Sequence, residues 1–82
     1  MDLIKLTEEI VLSLVENKDM VAVKEFETDE ANTILYQVLI DEADMPRVIG
    51  KNGRVISSVR TIVQASSYTK DNKSIRINVD SI

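Results

Sequence analysis

The chain has 82 residues, and 44% of them are apolar and 29% charged, which is the composition of one small folded domain. Cysteine, histidine and tryptophan are all absent, and the only aromatics are two Tyr and one Phe. That excludes disulfides, thiolate and imidazole metal sites, Ser-His-Asp triads, cysteine nucleophiles and a broad surface of aromatics on which bases stack. The net charge of −4 argues at first against an anionic partner, but its distribution does not. Residues 1–46 hold three Lys against twelve Asp and Glu, a balance of −9, whereas residues 47–82 hold seven Lys and Arg against two Asp, a balance of +5. Such polarity between halves suits an anionic partner for the second one. No apolar run approaches the about 20 residues that cross a bilayer, and Met1-Asp2 opens without a basic leader, so a cytoplasmic protein is expected, with no membrane partner.

Residues 3–16 predict an amphipathic helix. Leu3, Leu6, Ile10 and Leu14, flanked by Val11 and Val15, follow the 3.6 period, with Asp2 as N-cap and Asn17-Lys18-Asp19 as the stop. Residues 20–27 predict a strand in which Phe26 breaks the alternation and marks a bulge. A polar turn follows over 28–32. Residues 33–40 predict the best-buried strand, apolar on both faces and therefore central: Ile34, Tyr36, Val38 and Ile40 on one, Leu35 and Leu39 on the other. Asp44 is placed to cap a short helix with Pro46 in its first turn.

Beyond Gly50-Lys51-Asn52-Gly53, residues 54–66 predict a second long helix, with a stripe of Val55, Ile56, Val59, Ile62, Val63 and Ser66. Tyr68 to Lys73 reads as a polar loop. Ser74 to Asp80 reads as a half-buried strand with Ile75, Ile77 and Val79 inward. The order is α-β-β-α-α-β. Two helices between the second and third strands permit parallel pairing. The expected class is α+β: one domain over residues 1–82, a three-stranded mixed sheet with helices packed on one face.

The chemical signal is Gly50-Lys51-Asn52-Gly53. Asn52-Gly53 is also a type I′ hairpin signal, with Val48-Ile49 and Val55-Ile56 as its strands. A hairpin leaves the helical stripe beyond Ile56 unexplained, so the residues favour helix–loop–helix. In that arrangement the glycines permit positive φ and close backbone approach, and N–H groups at the start of the next helix favour an anion. Lys51, Arg54 and Arg47 add full charges. Neither a Walker A loop nor a dinucleotide fingerprint is present.

Val48-Ile49-Gly50-Lys51-Asn52-Gly53-Arg54-Val55-Ile56 resembles the signature of KH RNA-binding domains, whose Gly-x-x-Gly loop clamps about four nucleotides by their backbone. The element order resembles the type II KH arrangement. The first helix, the acidic hairpin, Asp44-Met45 before the loop, Val59-Arg60-Thr61-Ile62-Val63 after it and the closing strand are similar, over essentially the whole chain, to the small bacterial single-KH proteins of the KhpA (YlqC) family. Pro46 departs from the small flexible residue expected there. The resemblance implies single-stranded RNA binding, a role as RNA chaperone or post-transcriptional regulator, self-association as a homodimer, and pairing with the larger KH-containing protein KhpB (Jag/EloR).

The expected RNA-binding residues are Ile49, Gly50, Lys51, Asn52, Gly53, Arg54 and Arg47. The glycines admit the backbone, Lys51 and Asn52 meet phosphate or sugar, Ile49 with Val48 supports the groove floor or packs in the core, and Arg54 and Arg47 meet phosphate. Arg60 and Arg76 read as solvated, while Lys70 and Lys73 flank the groove. About three phosphate contacts imply a salt slope near about −2. Asp41, Glu42 and Asp44 read as solvated or capping acids rather than metal ligands, no cofactor is implied, and the acids of the first helix have no pocket for acid–base chemistry. Two other readings stay open: a dimerisation or protein-interaction module using Ile62, Val63 and the acidic half, and a ribosome-associated factor.

Overall fold

A computed structural model describes residues 2–70 and 72–82; Met1 and Asp71, the latter in the expected 68–73 loop, lie outside them. Helix α1 spans Leu3–Leu14 and is capped by Asp2, whose Oδ1 accepts from the Ile4 N–H at 3.2 Å. Its buried line is Leu3, Thr7 and Val11, continued by Val15 just past its end, so the stripe is turned from the predicted one and leaves Leu6, Ile10 and Leu14 half-buried at its margin. Thr7 tolerates this position because its hydroxyl donates to the Leu3 carbonyl at 2.9 Å. The helix stops at Leu14, two residues early. Lys18 then folds back and donates from Nζ to the Leu12 and Val15 carbonyls, at 2.6 and 3.0 Å, satisfying oxygens that the helix end leaves open.

Strands β1 (Ala22–Glu27) and β2 (Thr33–Ile40) are antiparallel, and β3 (Ser74–Ser81) lies parallel to β2, which is central. The β1–β2 register is unbroken from Ala22 opposite Leu39 to Glu27 opposite Ile34. The expected bulge at Phe26 is therefore absent. Phe26 stays in phase and pairs with Leu35 on the face of the sheet away from the helices. The other face carries Tyr36, Val38, Ile40, Ile75 and Ile77, all buried, with Val79 half-buried. Helices α1, α2 (Met45–Ile49) and α3 (Arg54–Lys70) cover it. The result is the expected α+β fold, with a mixed sheet and helices on one face.

Helix α3 differs from its predicted form twice. It runs four residues further, to Lys70, because its last turn is tied to the following chain. The buried Ser67 hydroxyl donates to the Lys73 carbonyl at 2.7 Å, and the Asn72 N–H donates to the Ser67 carbonyl at 2.6 Å. Its buried line is Ile56, Val59, Val63 and Ser67, spaced by three and four. Ile62 falls outside that line and is 49% exposed, contrary to the expected stripe, while Val55 and Ser66 sit half-buried at its edge.

Candidate nucleic-acid interface

Residues 50–53 form a tight corner between α2 and α3, as the helix–loop–helix reading requires. Gly50 has φ 77° and ψ 174°, Asn52 φ 56° and ψ 27°, and Gly53 φ 75°. Asn52 and Gly53 thus take the positive φ that made the dipeptide a turn signal, but in a helix–helix corner. The two glycines answer different demands. A Cβ on Gly50 would collide with the Val55 side chain, lying 2.8 Å from its Cβ and 2.9 Å from the Val55 nitrogen. Gly50 therefore lets α3 fold back over the loop. A Cβ on Gly53 would meet nothing within 4 Å, so the space above it is open to a ligand.

The N–H groups of the corner are partly used. Gly50 N–H returns to the Pro46 carbonyl at 2.9 Å, Gly53 N–H to Gly50 at 3.2 Å, and the Arg54 N–H to Lys51. Full charges, more than helix-end N–H groups, must carry any attraction for phosphate. Lys51, Asn52 and Arg54 are exposed, and among the described residues the side chains of Lys51 and Arg54 have no hydrogen-bond or ionic partner. From Met45 to Lys70 the chain has five Lys and Arg and no acid. Ile49 is half-buried against the core and Val48 fully buried.

Arg47 is placed differently. Its Nη2 reaches Glu16 Oε1 at 2.8 Å and its Nη1 reaches Asp44 Oδ1 at 3.2 Å. Asp44, expected as a cap or a solvated acid, is completely buried and makes no capping bond to α2. It accepts instead from the Glu16 N–H (3.1 Å), the Asn17 N–H (3.0 Å), Asn17 Nδ2 (3.1 Å) and Arg47. This carboxylate fastens the start of α2 to the chain leaving α1 and so fixes the approach to the loop. The Glu16 N–H does most to hold its pKa below the ordinary 3.8; burial opposes this, and the Asn17 groups and Arg47 add to the lowering. Asp41, by contrast, takes a local role, accepting from the Ala43 N–H. No cluster of three potential metal ligands occurs among the described residues.

Along the far side of α3 two side chains close the edge of β3. Gln64 accepts from the Ile75 N–H at 2.8 Å and donates to the Lys73 carbonyl at 2.9 Å, and Arg60 donates to the Ile77 carbonyl at 3.1 and 3.3 Å. Arg76 pairs with Glu30 at 2.7 Å. Arg60 and Arg76 are thus engaged rather than simply solvated. Sequence reading named Asp44 only as a cap or solvated acid and did not single out Gln64; the partners that define them lie 27 and 28, and 9 and 11, residues away and leave no local signal.

A sequence model described as "KhpA/KhpB, KH domain" matches residues 4–79. The chain belongs to the KhpA/KhpB KH-domain family. Among its curated relatives, the RNA-binding protein KhpA of Oceanobacillus iheyensis is 36% identical over 74 residues, covering 90% of this chain and 95% of that one. The RNA-binding protein KhpA of Listeria monocytogenes is 38% identical over 76 residues, covering 88% and 96%. That of Thermotoga maritima is 36% identical over 75 residues, covering 92% and 95%. Among solved structures, Era of Aquifex aeolicus superposes with a TM-score of 0.69 at 18% identity, over 96% of this chain and 29% of that chain. The same values hold for Era in complex with MgGDPNP and nucleotides 1506–1542 of 16S ribosomal RNA. At that identity the likeness is one of fold.

Proposed function

We propose that the protein binds single-stranded RNA by clamping its sugar–phosphate backbone at Gly50–Gly53, as an RNA chaperone or post-transcriptional regulator of the cytoplasm. Its function is binding, not catalysis. The observation that carries this is the corner itself: open space above Gly53, with the unpaired cations Lys51 and Arg54 beside it in an acid-free stretch. Lys51, Asn52 and Arg54 contact phosphate or sugar, Gly50 shapes the turn, Gly53 admits the backbone, and Ile49 supports the groove. Arg47 positions α2 in the free protein, and it meets phosphate only by leaving Glu16. Two free cations give a salt slope of about −1.4, shallower than three contacts would. The relatives are RNA-binding proteins by name, which supports RNA as the partner. Among the described residues no helix is long and apolar enough to cross a membrane.

The exposed Ile62 on the outer face of α3 favours a second activity alongside the first: self-association as a homodimer, and pairing with KhpB (Jag/EloR), which the family description joins to KhpA. Fluorescence anisotropy on a short single-stranded RNA, across several salt concentrations, tests the clamp. Lys51→Asp with Asn52→Asp sets two negative charges against phosphate, and Asp tolerates the left-handed backbone at position 52. Loss of binding by this variant with an unchanged circular dichroism spectrum supports the clamp. Equal binding by the variant, or none by the wild type, refutes it and leaves the interaction module.

A further inference from the structure

The corner does not end at Gly53. Beyond it Ser57, Arg60, Gln64 and Tyr68 recur at steps of three, four and four residues, so they form one line along α3 on the side that faces the edge of β3. The line is about 16 Å long at about 1.5 Å per residue. It ends at Tyr68, which is 58% exposed and lies on the helix, not in the loop where its sequence context placed it. Between this end of the line and β3 is an open cleft of about 440 Å³, lined by Arg60, Thr61, Gln64, Ala65, Tyr68 and Ile75. Among the described residues no carboxylate lines it, and none lines the adjoining cleft, where Arg60 and Arg76 meet Ile75, Ile77 and Asn78. In a chain with 14 acids and 10 bases, that is the surface an anionic strand leaving the loop would follow.

We propose that Tyr68 is a stacking platform for a base of an RNA strand longer than the one the loop itself holds, with Arg60 supplying charge two turns back along the same cleft. This rests on the clamp described above and extends it to the far end of α3. An exposed aromatic over an apolar floor at Ile75, in a cleft that also holds a cation, is the minimal form of a single-strand stacking site, which is tolerant of base identity because every base has a π-face. Gln64 and Arg60 hold the wall of the cleft in place through their bonds to β3.

The test compares wild type, Tyr68→Ala, Tyr68→Phe and the Lys51→Asp/Asn52→Asp variant. Each is titrated with labelled oligoadenylates of about four nucleotides, the reach of the clamp, and of about twice that length. The chain has no Trp, and Tyr36 is 2% exposed, so quenching of tyrosine emission by unlabelled RNA reports on Tyr68. The long oligomer should bind Tyr68→Ala at least about fivefold more weakly than wild type, the lower end of a base–aromatic contact. Tyr68→Phe should stay within about twofold of wild type, the short oligomer should not distinguish any of the three, and only the long one should quench the emission. Equal binding of the long oligomer by wild type and Tyr68→Ala, or an equal loss on both lengths, overturns the platform. Either result, with binding still abolished in the Lys51→Asp/Asn52→Asp variant, overturns the platform and leaves the clamp standing. Absence of wild-type binding to both oligomers removes the two together.

Discussion

At the scale of single residues the loop holds two glycines that look alike in the sequence and do different work. Gly50→Ala must distort the chain, because the new Cβ meets the Val55 side chain and backbone nitrogen at a positive φ. It should cost more than about 2 kcal/mol and lower both stability and RNA affinity. Gly53→Ala faces open space, so it should cost only the about 1 kcal/mol of a left-handed alanine, while its methyl group intrudes where the strand's backbone approaches. Thermal melts beside anisotropy separate the two: stability falls mainly in the first, and affinity falls beyond stability in the second. The glycine positions, Lys51 and Arg54 were legible in the sequence because spacing and charge are local properties. The occupation of Arg47 was not, since Glu16 and Asp44 reach it only through the packing of α2 against the chain after α1.

At the scale of elements, α2 has five residues, too few to hold its own direction, and depends on Asp44 at its start. Asp44→Ala leaves the Glu16 and Asn17 donors and Arg47 without their buried acceptor and should lower the thermal midpoint by roughly 10 °C or more. The carboxyl pKa is lowered in the folded state, so its contribution is complete above the unfolded value of 3.8 and is lost as pH falls through that value and below it. Wild type should therefore lose stability relative to Asp44→Asn as pH falls below about 4, which denaturant melts at several pH values measure. The elements themselves were readable: β2 was placed at its observed bounds, and β1, β3 and α1 came within two residues at each end. The misplaced features share one physical origin. The end of α3 at Lys70 and the in-phase Phe26 are set by tertiary bonds and strand pairing, which residue propensities do not contain.

At the scale of the molecule, the acidic first half and the basic second half meet in one body only 34 × 23 × 21 Å in extent, so charge attraction is local to the α2–α3 side rather than long-ranged. A dimer formed through the outer face of α3 would carry two loops. Ile62→Glu should then give a folded monomer by light scattering and lose the avidity on RNA long enough to engage both loops, while binding to a single short oligomer stays unchanged. An unaltered mass, or equal loss on both RNA lengths, excludes that face as the contact. The fold class and the mixed topology followed from the element order. The rotation of α3 that leaves Ile62 outside did not, because six candidate positions made the stripe broader than the helix could bury. Gln64 and Arg60 have one more consequence. A strand at the margin of a sheet invites other chains to extend it, and here those side chains occupy the outward groups of Lys73, Ile75 and Ile77 before a neighbour can. They close the first half of this margin to strand addition, a protection set by two helical residues and separable from anything the loop does, and leave β1 as the sheet's open margin.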